Sequence, residues 1–171
     1  MPRGADPPES VPRIRLKRRY STEELKIRDY MVSPVTAMPE TTSLLDAVLL
    51  MRRSGFRHLP VVDGERLVGI ITDRDLNRLA PSMLGKPSPQ EYNELFENTP
   101  LSKVMIRNPI TVTPNSRVLD AVAILHHKKL GCLPVVENGR LVGIITVTDM
   151  LGLLLHMLGG AVASEIELGE A

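Results

Sequence analysis

Aromatic residues are scarce in this chain: they make up 3% of its 171 residues, and tryptophan is absent. The core must therefore be built from Val, Ile, Leu, Met and Ala, which a hydrophobic content of 43% supplies amply. The scarcity also removes the ring platforms on which single-stranded nucleic acid stacks. Cysteine is nearly missing as well. The single Cys132 excludes an internal disulfide framework and fits a reducing compartment. No charge of one sign dominates, and a net charge of +1 gives no global field to draw the chain to nucleic acid or an acidic membrane. Long apolar runs are lacking too. The greasiest stretch, Met150 to Ala163, is interrupted by His156, Gly159 and Gly160 and is too short to span a bilayer, so it reads as a buried or dimer-facing helix. The polar, proline-rich stretch Met1 to Pro12 has no apolar segment of signal-peptide type. These absences lead to the expectation of a soluble, cytoplasmic protein.

What the chain does contain is a repeat. LPVVDGERLVGIITDRD, Leu59 to Asp75, returns as LPVVENGRLVGIITVTD, Leu133 to Asp149, at an offset of 74 residues. LLDAV at Leu44 returns as VLDAV at Val118, and MVSPVTAMPETTS upstream answers MIRNPITVTPNSR. Two copies are too few for a solenoid, so they read as half-domains that pack on each other.

Each copy has the same local syntax. A short strand follows a proline, Val35 to Met38 or Ile110 to Thr113, and a second proline, Pro39 or Pro114, ends it. A helical pattern follows, with Ser43 three residues before Asp46 as a capping box and Gly55 as the stop. The next strand, from Leu59, reaches a turn at Asp63-Gly64; Asn138-Gly139 is the signal in copy two. A partner strand and a last helix, starting near Thr72 or Thr146, complete a β-α-β-β-α unit. The expected organisation is a basic, disordered arm over 1–20 with Arg13 to Arg19 as its charged cluster, a first repeat over 21–80, and a connection over 81–100 with a short helix from Gln90 to Phe96. A second repeat over 101–158 and a tail over 159–171 complete it.

The P-x-T strand, the LPVV strand, the G-x-LVGIIT arm and the terminal T-x-x-D resemble the CBS domain family. They occur as Pro34-Val35-Thr36, Leu59 to Val62, Gly64 to Thr72 and Thr72 to Asp75, and again as Pro109-Ile110-Thr111, Leu133 to Val136, Gly139 to Thr146 and Thr146 to Asp149. The resemblance implies an α/β fold of two β-α-β-β-α repeats packed with pseudo-two-fold symmetry, often called a Bateman module. It implies dimerisation and two clefts that take adenine nucleotides such as AMP, ADP, ATP or S-adenosylmethionine. It also implies regulation of a transporter, channel or enzyme. Each cleft would draw its T-x-x-D from one copy and its P-x-T strand from the other. Thr72, Arg74 and Asp75 would face Thr111 and the strand of Cys132 and Pro134. Thr146, Thr148 and Asp149 would face Thr36 and the strand of His58 and Pro60. Arg74 would give basic character to one cleft, and Arg57 with His58 to the other.

The chemistry is plausible on the residues alone. A carboxylate in the first helical turn is a fixed acceptor for the two hydroxyls of a ribose, and free N–H groups beside it suit a phosphate. Yet Thr-x-x-Asp is itself a capping box that needs no ligand, and the two roles are compatible. The remaining signals favour plainer readings. His126 to Lys129 is a cationic helix end, Cys132 a buried inert thiol, His156 an interface or core histidine, and the basic arm a solvated tail. Nothing pairs a nucleophile with a base and its orienter, so no enzyme is expected, and neither a required cofactor nor a metal. The expectation is a sensor whose regulatory ligand is an adenine nucleotide, acting as a homodimer on an unidentified effector. The alternatives are a ligand-free dimerisation module and a nucleic-acid regulator using the arm.

Overall fold

The computed structural model describes residues 25–79 and 88–158. The arm, the tail and the start of the connection, residues 80–87, lie outside the described residues. In chain order the elements are β1 (Met38–Pro39), α1 (Leu44–Ser54), β2 (His58–Asp63), β3 (Arg66–Thr72), α2 (Asp73–Leu79), α3 (Pro89–Glu97), β4 (Ile106–Arg107), α4 (Val118–Lys128), β5 (Cys132–Glu137), β6 (Arg140–Thr146) and α5 (Val147–Met157). One sheet runs β1-β2-β3-β6-β5, with β4 on β3. The hairpins β2–β3 and β5–β6 join into the sheet at their turn ends, where Arg66 pairs with Arg140 and Leu141 N–H donates to Glu65 O at 2.9 Å.

The two-fold relation holds position by position. His58 faces Thr72 as Cys132 faces Thr146, and both hairpins slip register at the same place, Val61/Val62 and Val135/Val136. Each repeat has its own buried aliphatic cluster. Leu44, Ala47, Met51, Leu59, Val61 and Ile71 form the first, and Val118, Ala121, Leu125, Leu133, Val135 and Ile145 the second. The segments that precede each repeat are exchanged. Ile27 is fully buried in the second cluster, with Leu25, Tyr30 and Met31 packed beside it. Its N–H donates to Ser116 O at 3.0 Å, and Val32 bridges Ile144. Leu101 and Met105 mirror this on the first cluster, and Leu101 N–H donates to Thr42 O at 2.9 Å. The glycine of each LVGIIT strand makes room for the visiting segment. A Cβ on Gly69 would lie 2.8 Å from Met105 Cγ, and one on Gly143 would lie 3.0 Å from Val32 O.

Several local expectations meet corrections. Ser43 caps α1, accepting from Asp46 N–H at 3.1 Å, and Gly55 ends it at φ 67°, where the sequence predicts; the full capping box does not form, since Asp46 Oδ2 accepts from the Ser43 hydroxyl at 2.7 Å instead of from its backbone N–H. The short helix expected over Gln90 to Phe96 forms as α3 (Pro89–Glu97), and the structure adds a capping box of Ser88 and Glu91, with Phe96 buried in the first cluster. The expected leading strands are far shorter. β1 has two residues and includes Pro39, while Val112 makes only a single parallel bridge to Val135. Proline is tolerated because β1 is an edge strand. The first hairpin loop is Gly64-Glu65 rather than Asp63-Gly64, because Asp63 pairs with Arg66. Gly64 alone takes positive φ there, whereas Asn138 and Gly139 both do in the second loop. The helix expected as buried or dimer-facing, α5, buries none of its residues within the chain and exposes Leu151, Leu154 and Leu155.

Candidate functional site

At the start of α2 and α5 the two Thr-x-x-Asp motifs form the same compact unit. Thr72 donates from its N–H (3.1 Å) and its hydroxyl (2.6 Å) to Asp75 Oδ2, and Asp75 N–H returns a bond to Thr72 Oγ1 at 3.2 Å. Thr146 and Asp149 repeat this at 2.7, 2.8 and 3.3 Å. Capping is thus realised in both copies. Each carboxylate spends a single oxygen on it, and among the described residues Oδ1 makes no hydrogen bond. A half-buried carboxylate held this way presents one fixed acceptor edge.

Beside Thr72 lies an apolar slot of about 210 Å³ built by both repeats. The first supplies His58, Ile70 and Thr72. The second supplies Pro109, Ile110, Cys132 and Pro134, with Asn108 and Gly131 at the edges. The slot opens into a polar mouth of about 730 Å³, and His58, Leu130 and Gly131 line both. The mouth gathers Arg57, Arg74, Arg78 and Lys129 against one carboxylate, Asp73. His58 is the partition. Its ring stands where a Cβ on residue 131 would be, 2.9 Å from Cε1, so only glycine fits opposite it. Burial is the main cause that holds the imidazole below its usual value of 6.5; Asp73 works against this, and Arg57 and Arg74 reinforce it. Cys132 is buried, and burial pushes its thiol up to about 12, so no thiolate nucleophile exists at neutral pH.

The sequence candidates are partly brought together. Thr72, Cys132 and Pro134 share the slot, with Arg74 in the adjoining mouth and Asp75 bonded to Thr72. Thr111 is exposed, and its neighbour Ile110 lines the slot instead. In the second cleft, Arg57 Nη2 donates to Thr148 Oγ1 at 3.0 Å, one residue before Asp149. Thr36 is exposed and Pro60 fully buried, while Val35 packs with Ile70, Cys132 and Ile144 where the repeats meet. The sequence reading divided Arg74 from Arg57 and His58, one source per cleft. In the structure all three line the same mouth. Sequence reasoning passed over Asp73 and Arg78, and took Lys129 only as part of a cationic helix end. Arg78 was within reach, four residues after Arg74 and therefore on the same helical face. His126 and His127 stack edge to face at 5.2 Å at the end of α4, and His156 is exposed. No group of three metal-ligating side chains occurs among the described residues, and no described helix is long and apolar enough to cross a membrane.

The sequence model of the CBS domain matches the chain twice, over residues 27–82 and 101–156. A CBS domain-containing protein of Dictyostelium discoideum is 34% identical over 119 residues, which is 68% of this chain and 82% of that protein. Some other curated relatives are much longer, and the chain spans 15% and 24% of two of them. Among solved structures, CBSX2 of Arabidopsis thaliana in complex with AMP is similar with a TM-score of 0.65 at 27% identity, covering 78% of this chain and 98% of that one. The CBS domain pair of protein MJ0100 in complex with 5′-methylthioadenosine and S-adenosyl-L-methionine is similar with a TM-score of 0.59 at 26% identity, over 75% and 98% of the two chains.

Proposed function

The chain belongs to the CBS domain family, and from that premise we propose that it is a regulatory module taking an adenosine-containing ligand between its repeats. The observation that carries this reading is the composite cavity. Neither half resembles a ligand site alone, since the slot is smaller than the roughly 300–1,000 Å³ of ordinary ligand pockets and the mouth, though large enough, is lined mainly by charged side chains. Joined at His58 they offer an apolar wall for a purine and cations for phosphate, and Asp75, bonded to Thr72 of the slot, adds a fixed carboxylate edge for ribose hydroxyls. The free Oδ1 of Asp75 is the ribose acceptor in this reading, and Ile70, Ile110 and Pro134 flank the base. Arg74 and Arg57 meet the first phosphate. Charge-assisted bonds of this type contribute about 1.5–3 kcal/mol each. Asp149 plays the same part in the second cleft.

A ligand touching both repeats biases their arrangement only by binding one arrangement better than another, and an effector protein then reads the difference. The effector's identity, as a transporter, channel or enzyme, is open to capture experiments. The exposed apolar face of α4 and α5 supports self-association as a homodimer.

The test is a calorimetric and thermal-shift panel of AMP, ADP, ATP, NAD and S-adenosylmethionine on the full chain. At about 100-fold excess over Kd, a true ligand adds about 2.7 kcal/mol. Asp75→Asn keeps a carbonyl oxygen for the cap but replaces the free acceptor edge with a donor. It should weaken binding about tenfold or more while leaving the melting temperature of the ligand-free protein nearly unchanged. A panel with no response means a ligand-free dimerisation module instead.

A further inference from the structure

The two-fold relation between the repeats breaks at one place. In the first repeat α3 lies against α1, with Phe96 buried in the first cluster and Leu45 and Val48 of α1 partly buried against it. Their counterparts 74 residues on, Leu119 and Val122, keep the same side-chain types but are 49% and 39% exposed. With Leu151, Leu154 and Met157 of α5 they line an open apolar groove. Among the described residues no helix takes the place of α3 there.

The backbone leads into both helix pairs in the same way. Leu44 N–H donates to Thr99 O at 2.7 Å, and Val118 N–H donates to Leu25 O at 2.9 Å, with Leu25 on the groove wall. The seat of α3 therefore shows what the second groove accepts. It holds a helix of 9 residues that buries one aromatic ring and leaves Glu91, Glu94 and Glu97 exposed.

Charge decides where such a helix comes from. α1 ends in Arg52 and Arg53, close to a helix rich in acids, and α4 ends in His126, His127 and Lys128, all exposed. Both grooves thus carry basic side chains at the same end. The stretch at the matching offset before the second groove, residues 15–23, has Arg15, Lys17, Arg18 and Arg19 where α3 has acids. Like charges repel at short range, so this stretch lacks the character of α3.

We propose that the groove between α4 and α5 docks an acidic amphipathic helix of a partner protein, the intermolecular counterpart of α3. An aromatic or large aliphatic anchor packs on Val122 and Leu154, and acids on the same helix face His127 and Lys128. The site lies apart from the slot between the repeats and does not depend on a nucleoside binding there. A second copy of the chain would cover the same face, so the helix and the homodimer exclude each other.

A fluorescein-labelled peptide of residues 88–99, the α3 sequence itself, is the probe, and its anisotropy with the full chain is the measurement. One peptide per chain is expected. Phe96→Ala in the peptide should weaken binding about tenfold or more. Replacing its three glutamates by glutamine, or raising KCl to about 0.5 M, should weaken it about threefold. Val122→Glu and Leu154→Glu in the protein, tested separately, should each abolish binding while the melting temperature stays near that of the parent. Sedimentation should show the peptide converting any homodimer into a complex of one chain with one peptide. No binding, or binding that both groove variants retain, overturns the site. A scrambled peptide that binds equally well overturns the helix. A homodimer that persists at saturating peptide gives the face to a second copy and overturns the proposal. Binding seen only when the chain carries Glu165→Lys and Glu167→Lys gives the groove to residues 159–171 and overturns it as well.

Discussion

A histidine ring held between a buried slot and a cluster of arginines has two reasons to stay neutral, and His58 has both. Burial lowers its affinity for a proton, Arg57 and Arg74 lower it further, and Asp73 and Asp75 only partly restore it. Its folded value thus lies below its unfolded value of about 6.5. Between the two, the unfolded chain binds more protons, so stability rises with pH there. The contribution is complete above 6.5 and is lost as pH falls through the lower, folded value. His58→Gln removes the proton and should flatten that part of the profile. Chemical denaturation from pH 7.5 to 5 checks this, and profiles that stay parallel throughout refute it. Gly131 is the other half of the arrangement. It leaves the ring the room it occupies, and the repeat shows it only as a place where the copies differ.

At the scale of elements, the exchanged leading segments decide which core each residue supports. Ile27 is fully buried in the second cluster and should cost about 2–5 kcal/mol when cut to alanine. Hydrogen exchange should then rise in β5 and β6 rather than in β2 and β3; the reverse pattern would falsify the exchange. Much of this architecture was legible in the sequence. The 74-residue self-match, the Ser43 and Gly55 boundaries and the Asn138-Gly139 loop all rest on local chemistry that tertiary context did not override. The exchange was not legible, because an apolar residue such as Ile27 declares that it will be buried but not against which cluster. The Thr-x-x-Asp units could be read for the same local reason. The shift from Thr111 to Ile110 could not, since alternation fixes a side chain's face only within a regular strand, and residues 110–113 form just one bridge. Lys129 was read only as part of a cationic helix end, because nothing in sequence announces a lysine with positive φ.

For the whole molecule, apolar exposure is concentrated on the second repeat. A groove of about 480 Å³ between α4 and α5 is lined by Leu119, Val122, Leu151, Leu154 and Met157, with Leu151 55% exposed. α2 instead carries Asp73, Arg74, Asp75 and Arg78. A homodimer would therefore form through the second repeat, and Leu151→Glu with Leu154→Glu should turn it into a monomer in sedimentation velocity. A parent that is already monomeric at high micromolar concentration refutes it. The exchanged segments also set a timetable. On the ribosome the first core cannot close when its own helices have emerged, because Leu101 and Met105 are not yet made. Their synthesis lags the end of α2 by roughly 25 residues, or about 1–5 s at ~5–20 residues per second. During that pause the nascent first half exposes its aliphatic cluster, while Ile27, the earliest piece of the second core, waits longest for its partners.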